Sequence, residues 1–488
     1  MSSKEKRVKK EFFYPKHIAI FGPSEKRGYY WIHALINTGF NGAIYPIHKE
    51  KKFGAGLQFY PSLSKVPEPV DYAIIAVPAE FVSSVLKECA KNKVKFVHIF
   101  TSGFSESGEV GRERSKEIKS IIKKNNMCVA GPNCLGIYCP KSGLSFRSDI
   151  YQMDEGRVSF ISQSGGIATN VVLRGHKQNL LFSKVISIGN SVDLQPADFI
   201  EFLAEDPETK VIGLYLENMG KSQEDEEKLI VALKNANRIK PVIVWRGGRT
   251  ALGARAALSH TGSNPTKMEK WAEVLKQTGI VEVRTFEELI DTLIAFEIIK
   301  IDFLPKGRNV ALITLSGGIG VTNSDLLDDL GLRIPYLSEK TMREIEDYDQ
   351  ISSAGVSAAN PIDLGGAFLN LSVVNKVITL SMQDDNIDSM IIEISHHYIY
   401  DRILLLDENF SKAFLKRILE TIIHASQIVK GKPVALVMPT VAYEMKQLFN
   451  RDYFVRKGIP VFDTVENAGK VIRNLNLYYN HMNNIKKS

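Results

Sequence analysis

The sequence lacks the features that mark membrane, secreted and zinc proteins. No apolar run approaches the roughly 20 residues that a membrane-spanning helix needs. The stretch Met1–Lys10 is rich in lysine but has no apolar core, unlike a signal peptide. The chain has only four cysteines, and their spacing does not match the paired ligands of zinc sites: Cys89, Cys128, Cys134 and Cys139. We therefore expect a cytoplasmic protein with reduced thiols, no membrane contact and no bound metal.

Common nucleotide and nucleic-acid motifs are also missing. No Gly-x4-Gly-Lys-Ser/Thr loop occurs, which excludes a P-loop site. A dinucleotide fingerprint needs three glycines after the first strand, but only Gly22 and Gly28 are present. The second predicted strand ends at Tyr45–His48 without an acidic residue to hold a ribose, so NAD is not expected. The net charge of +7 favours a solvated basic surface, because no nucleic-acid motif accompanies it.

What the sequence does contain is a regular alternation of short β-rich runs and longer helical stretches. This alternation predicts an α/β protein with parallel sheets covered by helices on both faces. The first predicted strands are His17–Phe21, Ala43–Ile47, Tyr72–Val77, Phe96–Thr101 and Met127–Ala130, and the helices between them are Tyr30–Thr38, Glu80–Lys91 and Gly111–Lys124. A chain of 488 residues favours about three domains, and we interpret residues 1–148 as a Rossmann-like one.

The rest of the chain contains an internal duplication. Ser-Gly-Gly-Ile occurs at Ser164–Ile167 and at Ser316–Ile319, each time after a strand-like run, Val158–Ser162 or Val310–Thr314. Further landmarks recur in the same order: Asn190–Leu194 is echoed by Asn360–Leu364, and Lys240–Val242 by Lys432–Val434. We predict two flavodoxin-like, doubly wound parallel-sheet domains at residues 149–301 and 302–488, joined near Leu304–Gly307. The polar tail from Tyr478 to Ser488 is expected to fray.

Four segments of the first domain fall where predicted strands end, and this edge of an open α/β sheet is where ligands bind. They are Phe21–Ser24, Val77-Pro78, Thr101–Phe104 and Gly131–Gly136. In this order they resemble the CoA-binding domain of the nucleoside-diphosphate-forming acyl-CoA synthetases, the superfamily of succinyl-CoA synthetase. The resemblance implies that CoA contacts Gly22, Pro23, Ser24, Val77, Pro78, Ser102, Gly103, Asn133 and Cys134. Glu50 stands where the family often has a lysine near the CoA phosphate, and either Lys49 or Lys51 can replace it.

The first repeat carries a second constellation. Ser164, Gly165 and Gly166 open a predicted helix, whose free amides and dipole favour a phosphate. Glu217 follows the strand Val211–Leu216 and belongs to the same sheet edge, whereas its counterpart in the second repeat is Ser395. His260 lies in a Ser-His-Thr-Gly segment that only the first repeat contains. A neutral imidazole can attack a phosphoryl group while a carboxylate fixes its tautomer, so we predict His260 as nucleophile and Glu217 as its orienting group.

The segment Ser259–Gly262 is similar to the phosphohistidine loop of the ADP-forming acetyl-CoA synthetases, and the resemblance covers nearly the whole chain. It implies an α subunit that interconverts acyl-CoA, ADP and phosphate with acid, CoA and ATP, most simply with acetate. It also implies that ADP, ATP and Mg bind a separate ATP-grasp β subunit in an α2β2 assembly. Two local departures are Ser263–Thr266, usually a small glycine-containing stretch, and Arg246, usually lysine.

Three alternatives remain open from the sequence. A succinyl-CoA synthetase would share the chemistry, but its short α subunit lacks the third domain. A CoA-binding regulatory protein without turnover is disfavoured by the His260 and Glu217 pair. A protein acetyltransferase built on these domains would need a further module.

Overall fold

A computed structural model describes residues 6–261, 266–348, 357–394, 408–428, 431–440 and 451–487, without the side chains of 259–261, 408–412, 414–415 and 426–428. The described chain forms two compact units, Met1–Arg284 and Thr285–Ser488.

The first unit begins with a five-stranded parallel sheet. Its strands are β1 (His17–Phe21), β2 (Ala43–Ile47), β5 (Tyr72–Ile75), β6 (Phe96–Ile99) and β7 (Cys128–Ala130), in the order β2-β1-β5-β6-β7, while β3 (Phe53–Gly54) and β4 (Leu57–Gln58) form a separate hairpin. The helices are α1 (Tyr30–Asn37), α2 (Ala79–Lys91) and α3 (Gly108–Asn125), with short 3-10 turns at Lys10–Phe12, Glu25–Arg27, Leu63–Lys65 and Pro140–Ser142. Helix α2 buries Val82, Leu86 and Cys89, whose spacing puts them on one face.

A second sheet follows in the same unit. Its strands are β8 (Gly136–Tyr138), β9 (Val158–Ser162), β10 (Phe182–Ser187), β11 (Val211–Leu216), β12 (Val242–Arg246) and β13 (Val281–Val283), in the order β13-β12-β11-β9-β10-β8. The helices are α4 (Gly165–Lys177), α5 (Pro196–Glu205), α6 (Gln223–Ile239), α7 (Ala251–Thr261) and α8 (Met268–Thr278). All neighbours pair in parallel except β8, which runs antiparallel to β10.

Strand β8 links the two sheets, because it directly follows the turn at the carboxyl end of β7 and pairs with the second sheet. The same turn hydrogen-bonds a loop of the second sheet: the Asn190 amide donates to the Pro132 carbonyl at 2.9 Å, and the Val192 amide to the Gly131 carbonyl at 2.9 Å. Gly189 has φ +53°, and a Cβ there would lie 2.3 Å from the Asn133 carbonyl oxygen. Only glycine allows this approach between the two loops.

At the opposite ends of the strands a buried ion-pair network joins the N-terminal segment to the second sheet. The Lys184 side chain is fully buried and its Nζ lies 2.7 Å from Asp206 Oδ2 and 2.8 Å from Glu208 Oε2. Glu208 also accepts a hydrogen bond from Tyr14. Burial raises the pKa of Glu208, but hydrogen bonds from Lys184, Tyr14 and Lys141 outweigh burial and bring it to about 2.

The second unit contains a third sheet. Its strands are β14 (Val310–Thr314), β15 (Ile362–Asp363), β16 (Ser389–Glu393), β17 (Val434–Val437) and β18 (Val461–Phe462), all parallel in the order β15-β14-β16-β17-β18. The helices are α9 (Phe286–Ile298), α10 (Gly317–Asp329), α11 (Glu339–Glu346), α12 (Leu371–Gln383), α13 (Glu408–Ile428) and α14 (Val465–Lys487), with 3-10 turns at Ile301–Phe303 and Gly365–Leu369.

The α/β fold class predicted from the sequence is confirmed. Each sheet contains the flavodoxin-like strand order 2-1-3-4-5, and β9 and β14 occupy the same place in the two copies. The prediction of a frayed tail is wrong, because α14 continues to Lys487. Tyr478 is fully buried in it and meets Phe296 edge-on at 5.4 Å between ring centroids. The division into three domains at 148 and 301 stays a prediction.

Candidate active site

Apart from His260, the predicted site residues of the first unit lie at the carboxyl ends of its strands. In a 2-1-3-4-5 sheet the chain leaves the first and third strands in opposite directions, and ligands bind in the crevice this opens. In the first sheet the crevice lies between β1 and β5, and in the second between β9 and β11. The turn after β7 lies against the second of these crevices, so the two candidate subsites adjoin.

The first crevice opens into a cleft of about 1380 Å³, which we call the CoA cleft. Seven of the nine predicted CoA contacts line it: Gly22, Pro23, Ser24, Val77, Pro78, Ser102 and Asn133. At Gly22, where φ is +81°, a Cβ would lie 2.7 Å from the Ala76 carbonyl oxygen. The glycine therefore lets the β1 turn fit against β5 and leaves the space above it open to a ligand.

Three cationic residues line the CoA cleft: Lys26, Arg27 and Lys51. Lys51 Nζ lies 2.5 Å from Glu25 Oε2 and 5.9 Å from the centroid of the Tyr29 ring. Lys49 is exposed and does not line the cleft. Of the two lysines that the sequence left open, Lys51 is thus the one positioned to meet an anionic ligand.

Two predicted CoA contacts, Gly103 and Cys134, do not line the CoA cleft. The Gly103 amide donates to Glu106 Oε1 at 2.7 Å, so its donor is already used. Cys134 is 2% exposed, and its thiol lies 3.6 Å from the Ile99 carbonyl oxygen. Burial lowers the pKa of the neighbouring His98 to about 4, and the His98 Nε2 lies 2.9 Å from the Cys134 carbonyl oxygen. Gly103 and Cys134 thus lie outside the lining of the CoA cleft.

Ser164, Gly165 and Gly166 of the second sheet, which we call the phosphate turn, have the predicted geometry of a helix start. Ser164 is the N-cap of α4, and its hydroxyl accepts from the Ile167 amide at 3.4 Å. A Cβ on Gly165 would lie 2.9 Å from Leu135 Cγ, so this turn packs on the segment that follows the CoA cleft. A Cβ on Gly166 would meet only Ser164 Oγ, at 3.9 Å. The amides of Gly165 and Gly166, unlike that of Ile167, have no acceptor within the helix and can bind an anion.

Glu217 lies beside this turn at the end of β11 and is 5% exposed. Its Oε1 accepts from the Tyr215 hydroxyl at 3.2 Å, and its amide donates to Gln163 Oε1 at 2.5 Å. Burial, together with the Glu217 carboxylate, raises the pKa of Tyr215 and keeps it a donor. A Cβ on Gly247 would lie 3.0 Å from Glu217 Cγ, so the segment leading to α7 passes directly over this carboxylate.

The backbone of His260 belongs to helix α7, whereas its side chain lies outside the described residues. The sequence predicted a loop here; the alanine-rich composition favours helix through Thr261 instead. Beyond residues 262–265 the chain returns to the site, because the Met219 amide donates to Thr266 Oγ1 at 3.0 Å. The described residues Gly247 and Thr266, which flank this stretch of the chain, thus lie close to Glu217 and Met219.

Arg246, which stands where the family usually has lysine, contacts the helix that follows the His260 segment. Its Nε pairs with Glu282, and its guanidinium lies 5.3 Å from the centroid of the Trp271 ring. Trp271 is a buried residue of α8, the helix that follows the His260 segment. Arg246 thus fixes the position of α8 against the sheet.

The corresponding turn of the second repeat has different polar neighbours. By the register of the strands, the place of Tyr215 is taken by Glu393, a buried carboxylate that accepts from Asn323 Nδ2 at 2.7 Å. Burial raises the pKa of Glu393. A Cβ on Gly317 would lie 3.3 Å from Asp363 Oδ2, so a second carboxylate borders the turn. Ser395, the predicted counterpart of Glu217, lies outside the described residues.

Two residues that hold the site together, Gln163 and Asn218, were not predicted as site residues from the sequence. Gln163 receives the amides of Glu217 and Asn218, and its Nε2 lies 3.3 Å from the Asn218 carbonyl oxygen. Their positions, directly before Ser164 and directly after Glu217, were a usable signal, because both fall at the same edge of adjacent strands.

No helix in the described residues is both long and apolar enough to span a bilayer. No group of three or more potential metal ligands occurs in the same part of the chain.

Comparisons with known proteins identify the family. A CoA binding domain family matches residues 16–140, and the succinyl-CoA ligase like flavodoxin domain family matches residues 155–296. The acetate–CoA ligase [ADP-forming] II subunit alpha of Pyrococcus furiosus is 34% identical over 94% of this chain and 95% of its own length. The chain belongs to the family of ADP-forming acetyl-CoA synthetase α subunits. It is therefore an acid–thiol ligase subunit of the nucleoside-diphosphate-forming acyl-CoA synthetase superfamily.

Two further proteins are similar to this chain. A 4-hydroxybutyrate–CoA ligase [ADP-forming] of Nitrosopumilus maritimus is 34% identical over 72% of this chain, which spans only 50% of that relative. The solved structure of the dinucleotide forming acetyl-coenzyme A synthetase 1 of Candidatus Korarchaeum cryptofilum, in complex with phosphate and ADP, covers 99% of both chains with a TM-score of 0.83 at 28% identity.

Proposed function

We propose that this chain is the α half of an ADP-forming acyl-CoA synthetase that uses His260 as a transient phosphoryl carrier. A phosphate oxygen attacks the thioester carbonyl, the carbon–sulfur bond breaks, and CoA leaves as the thiol with a proton from phosphate. The acyl phosphate then transfers its phosphoryl group to a neutral nitrogen of His260, which releases the carboxylate. Phosphohistidine finally donates the phosphoryl group to ADP.

One observation carries this proposal: the CoA cleft and the phosphate turn adjoin. Asn133 lines the cleft, Leu135 packs on Gly165 of the phosphate turn, and both residues belong to the single segment that joins the sheets. A thioester at the inner end of the cleft would thus face a phosphate held by α4. Holding two reactants at such a junction turns a bimolecular step into an effectively unimolecular one.

The buried Glu217 supports the role of His260. A carboxylate that hydrogen-bonds one imidazole nitrogen leaves the other as an unprotonated nucleophile and stabilises the charged product. The hydrogen bond from Tyr215 and the backbone bonds to Gln163 keep this carboxylate in one orientation. Its place beside the first turn of α4 is where a phosphoryl acceptor has to be activated.

We further propose that the acid is acetate or a similarly small acid, and that ADP and Mg bind a separate ATP-grasp β subunit. The name of the Pyrococcus furiosus relative, an acetate–CoA ligase subunit alpha, supports acetate as the acid and the presence of a separate β subunit. The alternative acid is 4-hydroxybutyrate, after which a relative of 34% identity is named. An α2β2 assembly is the expected arrangement.

The experiment is to incubate the α/β complex with ATP labelled in the γ-phosphate and to follow label on this chain. We expect acid-labile label on the wild type, none on His260→Ala, and a large loss of turnover with CoA binding retained for Glu217→Gln. Label that survives in His260→Ala would rule out the proposed carrier. An equal loss of CoA affinity in Glu217→Gln would contradict the role given to Glu217.

A further inference from the structure

A small polar cavity lies between the CoA cleft and the phosphate turn. We call it the junction pocket and define it by Asn133, Gln163, Asn190, Ser191, Asn218 and Lys221. Asn133 lines the CoA cleft as well, so the two cavities share a wall. Gln163 and Asn218 are the neighbours of Ser164 and Glu217 in the chain, so the opposite wall belongs to the phosphate site.

Ser191 gives the junction pocket an unused donor. The residue is 5% exposed, and its hydroxyl has no hydrogen-bond partner within the described part of the chain. Its φ of +46° lies in the left-handed region, which costs a serine free energy. Backbone strain and an unsatisfied buried hydroxyl are both expensive, and they persist where function requires them.

Lys221 gives the pocket a cation. Its Nζ donates to the Asn190 carbonyl oxygen at 2.6 Å. Although the side chain as a whole is exposed, burial of the ammonium group and the nearby Lys119 lower the pKa of Lys221. An anion or a carbonyl oxygen beside this ammonium would offset part of that cost. The side-chain amides of Asn133 and Gln163 complete a lining suited to oxygen atoms.

We infer that the junction pocket binds the oxygen atoms of the reacting acyl group and, through its size, restricts this enzyme to very short acids. This rests on the proposed function. The pocket has a volume of about 40 Å³. A water-sized group needs roughly 10–15 Å³ measured in this way, so the pocket holds about three of them. Acetyl fits this space, whereas 4-hydroxybutyryl and feruloyl groups exceed it.

The test measures the affinity of this chain for CoA, acetyl-CoA, 4-hydroxybutyryl-CoA and feruloyl-CoA by calorimetry. We expect Ser191→Gly and Lys221→Gln to weaken acetyl-CoA by about 2- to 10-fold, the value of one hydrogen bond, with CoA unchanged. The two longer thioesters should bind wild type no better than CoA itself. Glycine suits the backbone at position 191, so this variant should keep its thermal midpoint.

Matched controls separate this from general effects. Asn126→Gly replaces another left-handed residue, the C-cap of α3, and Lys228→Gln removes a surface lysine paired with Glu224. Neither should alter the ratio of acetyl-CoA to CoA affinity. An unchanged ratio in both pocket variants, or tighter binding of 4-hydroxybutyryl-CoA than of acetyl-CoA, would overturn the inference. Failure of the wild type to bind CoA at all would instead overturn the proposed function.

Discussion

Gly166→Ala is the substitution for which stability and activity should change in opposite directions. A methyl group at this position meets nothing closer than Ser164 Oγ at 3.9 Å, so the helix accepts it. Alanine in place of glycine stabilises a helix by up to about 1 kcal/mol, and less in the first turn. We therefore expect the thermal midpoint to rise by up to about 2 °C for a unit of this size. The same methyl group occupies the open face where phosphate must approach the amides of α4.

The cost to activity follows from the lost contacts. A hydrogen bond to a charged group contributes about 1.5–3 kcal/mol, so losing one amide contact should lower kcat/KM for phosphate by about 10- to 100-fold. The assay follows thioester cleavage at varied phosphate, beside a thermal unfolding scan of the same variant.

The second repeat supplies the matched control. Gly318 occupies the equivalent position, and a Cβ there would meet nothing within 4 Å. Gly318→Ala should give a similar gain in stability and leave the phosphate dependence unchanged. A Gly166→Ala variant whose kcat/KM for phosphate stays within about twofold of wild type would refute the assignment of the turn, because the helix-start amides would then be irrelevant to phosphate.

Three further predictions concern CoA and stability. Lys51→Ala should weaken CoA binding measured by calorimetry whereas Lys49→Ala should not; equal effects would remove Lys51 from the CoA cleft. His98 has a pKa of about 4 when folded, so its burial destabilises the protein increasingly as pH falls from about 6.5 to 4, by roughly 3 kcal/mol in total. His98→Gln should flatten this part of the stability–pH profile in denaturant titrations, and an unchanged slope would exclude His98 as its source. Lys184→Met leaves two carboxylates beside a buried apolar side chain and should cost about 3–5 kcal/mol of unfolding free energy. Adding Glu208→Gln should restore part of it; a single variant as stable as wild type would contradict the burial argument.

Much of the fold could be predicted because local pattern and tertiary context agree. The strands His17–Phe21 and Ala43–Ile47 have the predicted bounds, since buried parallel strands read as short apolar runs between turn residues. The C-terminal helix was missed although Val471, Leu475 and Tyr478 recur at helical spacing and are buried. The prediction of fraying depended on the polar composition of Tyr478 to Ser488, which did not reveal that Tyr478 and the polar residues Asn474 and Asn476 of the same helix are buried.

The candidate site was predictable only in part. The carboxyl ends of parallel strands share one edge, so the CoA cleft and the phosphate turn follow from strand order alone. The junction pocket does not, because Asn133 and Ser191 meet only through the crossing of β8 into the second sheet and the close approach at Gly189. No local spacing encodes that contact.

We propose that thioester cleavage on this chain leads, through an acyl phosphate, to phosphohistidine at position 260. The most direct measurement supplies acetyl-CoA and labelled inorganic phosphate to the α/β complex, without ADP, and maps the label on this chain by mass spectrometry. We expect label on His260 that depends on acetyl-CoA and disappears when ADP is added. Label on another residue, or none while acetyl-CoA is cleaved, would contradict it.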